Sequence, residues 1–332
     1  MNPKISIRKL AAELDLAPST VHRALSGHPS VGLDTRRRVL RASMRNGYHL
    51  PVHDKGNIAI IVPSFSFSGY LECLLPPLEA QFHRRGFRLM LISEPDIAML
   101  GDRMFDGIVS LVWKEGLEKQ LPQSIAAPII ILNGAANAME NIPRVMSDPK
   151  GIRQALEYLR SRGCRRIFYI STVTDRAPDA AERLDEFRKF CLETGQDCEA
   201  LHLKLRWHEI EEKFPAVLQA DPDACFCASE SFSVKVGQLL KAAGKRIPED
   251  VSLMGLEDHH ANACFTPPIT AIRQDFEQIA EMAASQIVSA CQKKIPPRGG
   301  LIPFKLIERQ SVRKPKRKTS FPKACPPGDG LP

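Results

Sequence analysis

Short apolar runs alternate with amphipathic stretches along most of this chain, and few architectures accommodate that order. The runs at residues 58–62, 89–92, 107–112, 129–132 and 167–170 have strand length, while residues 151–162 carry apolar side chains at helical spacing. Strands separated by helices line up in parallel, with the helices covering the sheet faces. Ligands of such sheets collect at the carboxyl ends of the strands. At 332 residues the chain exceeds one small domain and has length for a sizeable core.

The first fifty residues have another character. Ser6 is a suitable cap for a helix over residues 7–14, where Ile7, Leu10, Ala11 and Leu14 form one stripe. Asp15, Leu16 and Ala17 make a tight connection, and Pro18 fits the first turn of a second helix reaching about Leu25. That helix would bury Val21, Ala24 and Leu25 and turn Ser19, Thr20, His22 and Arg23 outward. A third helix, about 33–46, ends at Gly47. Two helices on a three-residue turn, with small Ala11 and Ala12 at their close approach, form a helix-turn-helix. Such a unit lays the start of its second helix in the DNA major groove. Pro18, Ser19 and Arg23 are the candidate base readers, arginine because its fork matches guanine O6 and N7. Thr20 and His22 are candidate phosphate contacts. The alternative leaves Arg23 an ordinary solvated arginine on a small helical bundle.

Charge is distributed unevenly. Residues 1–55 hold ten Lys/Arg against four Asp/Glu, residues 312–332 six against one, and the 256 between them sum to −3 of the total +8. Basic ends on a slightly acidic body suit a polyanion, or simply solubility. No apolar run is long enough to span a bilayer and no secretory leader is evident, so the chain is expected in the cytoplasm, away from membranes. Its nine cysteines are scattered and odd in number, unlike a disulfide framework. Cys225 and Cys227 alternate within 224–228, more simply a packed strand face than half of a zinc site, because no second ligand pair has the right spacing. Neither a metal nor another cofactor is expected. Enzyme signatures are missing as well: there is no Walker loop, Gly-x-Ser-x-Gly elbow or His-Glu-x-x-His helix, and His259-His260 near Cys264 reads as a loop.

The head as a whole, Ser6-Ile7-Arg8-Lys9-Leu10-Ala11, Ala17-Pro18-Ser19-Thr20-Val21-His22-Arg23-Ala24-Leu25-Ser26-Gly27, Thr35-Arg36-Arg37-Arg38-Val39-Leu40 and Asn46-Gly47-Tyr48, resembles the headpiece of the lac repressor/gal repressor family. Downstream signposts follow in family order: Phe105-Asp106-Gly107-Ile108, Ile247-Pro248-Glu249-Asp250-Val251-Ser252, Thr266-Pro267-Pro268-Ile269-Thr270 and Glu308-Arg309-Gln310-Ser311. The resemblance implies an all-α helix-turn-helix headpiece (1–50) before an α/β core (58–311) shaped like a periplasmic binding protein. That core would have two parallel-sheet subdomains, about 58–146 with 275–303 and 147–274 with 304–311. It further implies a homodimeric regulator, expected to be a repressor, on a palindromic DNA operator, with a small polar, sugar-like effector in the cleft.

Residue by residue, Arg183 matches an effector-contacting arginine, although Glu186 replaces the usual glycine. Trp207 stands where members place a ring against the effector. Glu257 replaces an aspartate, and Ser229-Glu230 replaces an Asn-Asp pair, which points to an unusual effector or none. Arg183 and Glu257 could instead pair with surface neighbours, and Trp207 could fill core. The linker departs further. Only residues 49–57 separate Tyr48 from Ile58, too few beside Pro51 and Gly56 for the family's minor-groove hinge helix, so a short tether (51–57) is expected. The tail from 312 to 332 reads as disordered and basic. No leucine heptads follow the core, which favours a dimer over a tetramer.

Overall fold

The computed structural model describes residues 6–25, 28, 30–46, 56–65, 69–102, 105–112, 121, 127–133, 142–172, 179–229 and 232–314. Helices α1 (Ile7–Leu14), α2 (Pro18–Leu25) and α3 (Leu33–Arg45) form a head with its own apolar core. The Ser6 hydroxyl accepts the Lys9 N–H at 3.3 Å, satisfying one of the orphan donors of the first turn. Asp15 then turns the chain in the left-handed region (φ 54°), and Pro18 opens α2. Leu10, Ala11, Val21, Ala24, Leu25 and Val39 are buried together. Ala12 faces solvent, so Ala11 alone provides the small residue of the expected close approach; successive helical residues lie about 100° apart around the axis. Asn46 donates to Glu13 at 2.7 Å and Arg38 to the Leu14 carbonyl at 3.2 Å, tying α3 to α1. Gly47, the expected stop of α3, lies outside the described residues.

The first strand starts at Gly56, two residues earlier than its apolar run, because Asn57 N–H is engaged by the Asp106 carboxylate at 2.7 Å and the pairing with Phe87 and Arg88 extends that far. Of the segment 49–57, expected to be too short for a hinge helix, residues 49–55 lie outside the described residues.

The core consists of two sheets. The first combines β1 (Gly56–Val62), β2 (Phe87–Ser93), β3 (Gly107–Ser110), β4 (Ile129–Leu132), β5 (Arg144–Ser147) and β11 (Gly300–Ile302) in the order β11-β5-β4-β3-β1-β2. All its strand pairs are parallel. The second combines β6 (Ile167–Thr172), β7 (His202–Leu205), β8 (Ala224–Cys227), β9 (Ser252–Leu256), β10 (Thr270–Arg273) and β12 (Lys305–Ile307) in the order β12-β10-β9-β8-β6-β7. Its edge strand β12 runs antiparallel to β10, and its other pairs are parallel.

Helices α4 (Tyr70–Arg84) and α10 (Phe276–Lys293) cover the first sheet. The second is covered by α5 (Lys150–Ser161), α6 (Asp179–Thr194), α7 (Ile210–Gln219) and α8 (Phe232–Ala242). On α4, Leu71, Leu74, Leu78 and Phe82 recur at helical spacing and are buried. Each full burial of this kind contributes about 1.5–3 kcal/mol. Cys225 and Cys227 are wholly buried in β8, and burial pushes the Cys225 thiol up to about 12 and the Cys227 thiol well above its ordinary range. Both are packing residues, and no cluster of metal-ligating side chains occurs among the described residues.

The chain passes between the sheets after β5, after β10 and between β11 and β12. These crossings bring the carboxyl ends of both sheets to one region. There the Ser147 hydroxyl and the Gln274 amide oxygen meet, buried, at 2.8 Å.

The tail begins later than its composition suggests. Val312 is buried in the second sheet's core, and Arg313 donates to the carbonyls of Asp223 (2.7 Å) and Asp250 (3.3 Å) and to Ser252 Oγ. Arg313 is therefore a strand-end clamp; residues 315–332 lie outside the described residues.

Candidate functional site

In the head, burial of Val21, Ala24 and Leu25 leaves the opposite side of α2 to solvent. Pro18, Ser19, His22 and Arg23 are exposed there, while Thr20 is half-buried. Thr20 thus sits at the edge of the outward face. The presented chemistry is a hydroxyl, an imidazole and a guanidinium on a short, rigid helix.

In the core, the candidate cleft residues all follow carboxyl ends of the second sheet. Glu257 comes directly after β9. Its backbone is left-handed (φ 65°), a setting that costs a non-glycine residue on the order of 1–3 kcal/mol and persists only where surroundings impose it. The surroundings are visible: Glu257 N–H donates to the Ile272 carbonyl at 2.8 Å, and its own carbonyl accepts from the Asn262 amide at 2.9 Å. The carboxylate is buried and accepts the Gln274 N–H at 3.3 Å. Asn262 in turn accepts from Ser233 Oγ at 2.8 Å, which links the Glu257 loop to the start of α8.

Phe232 opens α8, and Trp207 stacks on it with ring centroids 5.8 Å apart and planes 11° from parallel. Trp207 is 50 % exposed, so it is not core filler; one face lies on Phe232 and the rest is open to a second planar or ring-shaped group. Ser229 is half-buried after β8, and its neighbour Glu230 lies outside the described residues.

Arg183, in the second turn of α6, is buried and paired with Asp179 at 3.3 Å. This is an internal pair, not the surface pairing weighed against an effector role. Its Nε donates to nothing among the described residues. Beneath it Tyr169 stacks on Phe187 at 4.6 Å, and burial pushes the Tyr169 phenol above its ordinary range.

Asn133 was not among the expected cleft residues. It closes β4 in the left-handed region (φ 60°), is buried, and its Oδ1 accepts no hydrogen bond among the described residues. An Asn-Gly pair directly after an apolar run was the available signal. His259 and His260 lie at the start of the short helix α9 (His260–Cys264), with the Cys264 sulfur 3.5 Å from His260 Nε2 on an exposed surface. The segment expected as a loop is therefore a short helix, and the His260–Cys264 contact joins its successive turns.

The family described as periplasmic binding protein-like domain matches residues 156–312. A transcriptional repressor PurR of Mannheimia succiniciproducens is 23% identical over 93% of this chain and 99% of its own. The sucrose operon repressor of Streptococcus mutans is 24% identical over 92% of this chain and 98% of its own. Among solved structures, the regulator CelR in complex with cellobiose superposes with a TM-score of 0.69 at 24% identity, covering 93% of this chain and all of that one. A lac repressor dimer bound to operator and the anti-inducer ONPF gives 0.69 at 15% identity over 94% of this chain.

Proposed function

Because the chain belongs to the lac repressor/gal repressor family of transcription regulators, we propose that it binds a palindromic operator as a homodimer and represses transcription under control of a small polar effector. The observation that carries this reading is the exposed face of α2. Pro18, Ser19 and Arg23 stand on the helix that a helix-turn-helix lays in the major groove, ahead of a ligand-type α/β core. Arg23 reads a base edge through two hydrogen bonds, Pro18 and Ser19 pack at neighbouring positions, and His22 with the half-buried Thr20 contacts phosphates. One head covers only a few base pairs, so a two-fold dimer and a palindrome follow together.

The effector lies between the sheets. Trp207 stacks on a ring face, Arg183 and Glu257 supply directed polar contacts, and Ser229, with Glu230 next to it in sequence, borders the same strand ends. A sugar-like molecule matches this combination, and the cellobiose bound in CelR is a relative's example of the class. The head comprises residues 1–50, the tether 51–57, and the effector core 58–311 in two subdomains. A solute-binding protein for a transporter would share the core but has no use for the basic head.

The test is selection of bound duplexes from a random DNA pool, run beside Arg23→Ala. A palindromic consensus that disappears in the variant supports the reading. Sequence-blind, salt-sensitive binding by the parent protein would overturn it.

A further inference from the structure

Arg144 begins β5 in the first sheet, and Glu182 lies in the opening turn of α6, which packs on the second. Their side chains meet across the two layers, Arg144 Nη1 donating to Glu182 Oε1 at 2.9 Å. The side chains are 28% and 25% exposed, so the pair is shielded from much of the screening that makes surface pairs weak. It also avoids the full desolvation that makes buried pairs costly.

Position distinguishes this contact from two other polar contacts between the layers, the Ser147–Gln274 hydrogen bond and the Lys305–Asp275 ion pair, both of which lie beside the crossings. Ser147 and Gln274 sit on the crossing segments themselves and can stay bonded while the layers rotate about those segments. Glu182 is remote along the chain from every crossing, so separating the layers must pull it from Arg144. Glu182 closes the turn begun by Asp179 and adjoins Arg183, which pairs with Asp179 one turn back. Whatever holds Glu182 therefore holds the Asp179–Arg183 pair in its buried setting.

We propose that Arg144 and Glu182 form a latch that keeps the two layers closed and fixes the first turns of α6. Both are positioning residues and act on the cleft through Arg183, without touching an effector themselves. The inference rests on the two-layer core and is independent of the DNA-binding reading. An opposite-charge pair tolerates exchange of its members, whereas a packing contact between these particular side chains does not.

The experiment is hydrogen exchange by mass spectrometry on the full chain without added ligand, comparing Arg144→Glu, Glu182→Arg and the double swap. Amides of residues 179–187 report the latch, and those of the central strand 224–227 report global opening. Each single reversal is expected to speed exchange at 179–187 by roughly five- to tenfold with 224–227 unchanged, and the swap to return it to within about twofold of the parent. Unchanged exchange in the single variants, or a swap as fast as they are, overturns the latch. Should a reversal unfold the chain, Glu182→Gln carries the test. Faster exchange confined to 179–187 supports the proposal, and exchange as slow as in the parent overturns it.

Discussion

Arg309 grips Asp258 with both terminal guanidinium nitrogens, at 2.6 and 2.9 Å, one residue beyond the left-handed Glu257. Arg309 also donates to the Ile269 carbonyl at 2.9 Å, so the segment after β12 braces the loop that carries the candidate effector carboxylate. The fork makes this grip, and an ammonium cannot reproduce it. Arg309→Lys is expected to lower stability by about 2 kcal/mol, the scale of a lost charged hydrogen bond in a largely covered site. Urea unfolding measures it, and a midpoint equal to the parent's would show that the brace carries no strain.

The beginning of the tail should behave as part of the core. A chain ending at Lys314 keeps Val312 buried and Arg313 on its carbonyls, and should unfold like the full protein. One ending at Ser311 loses both and is expected to be about 2–4 kcal/mol less stable. Equal midpoints for the two truncations would return residues 312–314 to the tail.

His202 makes stability depend on pH in one direction. Its ring lies 2.8 Å from Ser171 Oγ and 5.8 Å from Tyr169, and burial holds its pKa below the ordinary 6.5. Above 6.5 the imidazole is neutral in both states and its contribution is intact. As pH falls below 6.5 the unfolded chain takes up a proton that the folded one resists, so stability declines until the folded imidazole titrates as well. His202→Gln should flatten that part of the profile. Urea midpoints of both proteins at about pH 7.5, 6 and 5 provide the comparison, and parallel profiles would remove His202 as the source.

Thiol reactivity should separate the cysteines by location. Cys264 is exposed, whereas Cys164, Cys191, Cys225 and Cys227 are buried, with burial pushing Cys191 up to about 12. Because the thiolate is the reactive form, iodoacetamide should modify Cys264 in the folded protein and these four only after unfolding. Peptide mapping after a short exposure checks this, and early labelling of Cys191 would mean that α6 opens readily.

For the head, Arg23→Ala should weaken binding to the selected duplex by roughly 10- to 100-fold while barely changing affinity for random DNA. His22→Ala should weaken both alike and reduce the salt dependence. Titrations at two salt concentrations distinguish the outcomes. Equal losses on both DNAs for Arg23→Ala would reassign that arginine to the phosphates.

What could be read from the residues was local. Ser6, Asp15 and Pro18 bound α1 and α2 because capping and turn preferences act within a few positions. The apolar runs became strands because parallel strands covered on both faces need continuous hydrophobic stretches. Long-range partners decided the rest. Thr20 is half-covered and Ala12 bare according to where neighbouring helices lie, and Val312 joined the core through a pocket assembled from distant segments. Arg183 has its Asp179 partner one helical turn away, yet only packing against the second sheet buries that pair. Asn133 and Glu257 show the limit most directly. Their residue types are visible in the chain, but a left-handed backbone at a buried strand end is imposed by hydrogen bonds from elsewhere, such as Glu257 N–H to Ile272. Sequence by itself determined which segments could be helix or strand and which surfaces could be polar. The tertiary structure alone decided which polar groups are buried, and with what partners, because burial and pairing depend on contacts between residues far apart in the chain.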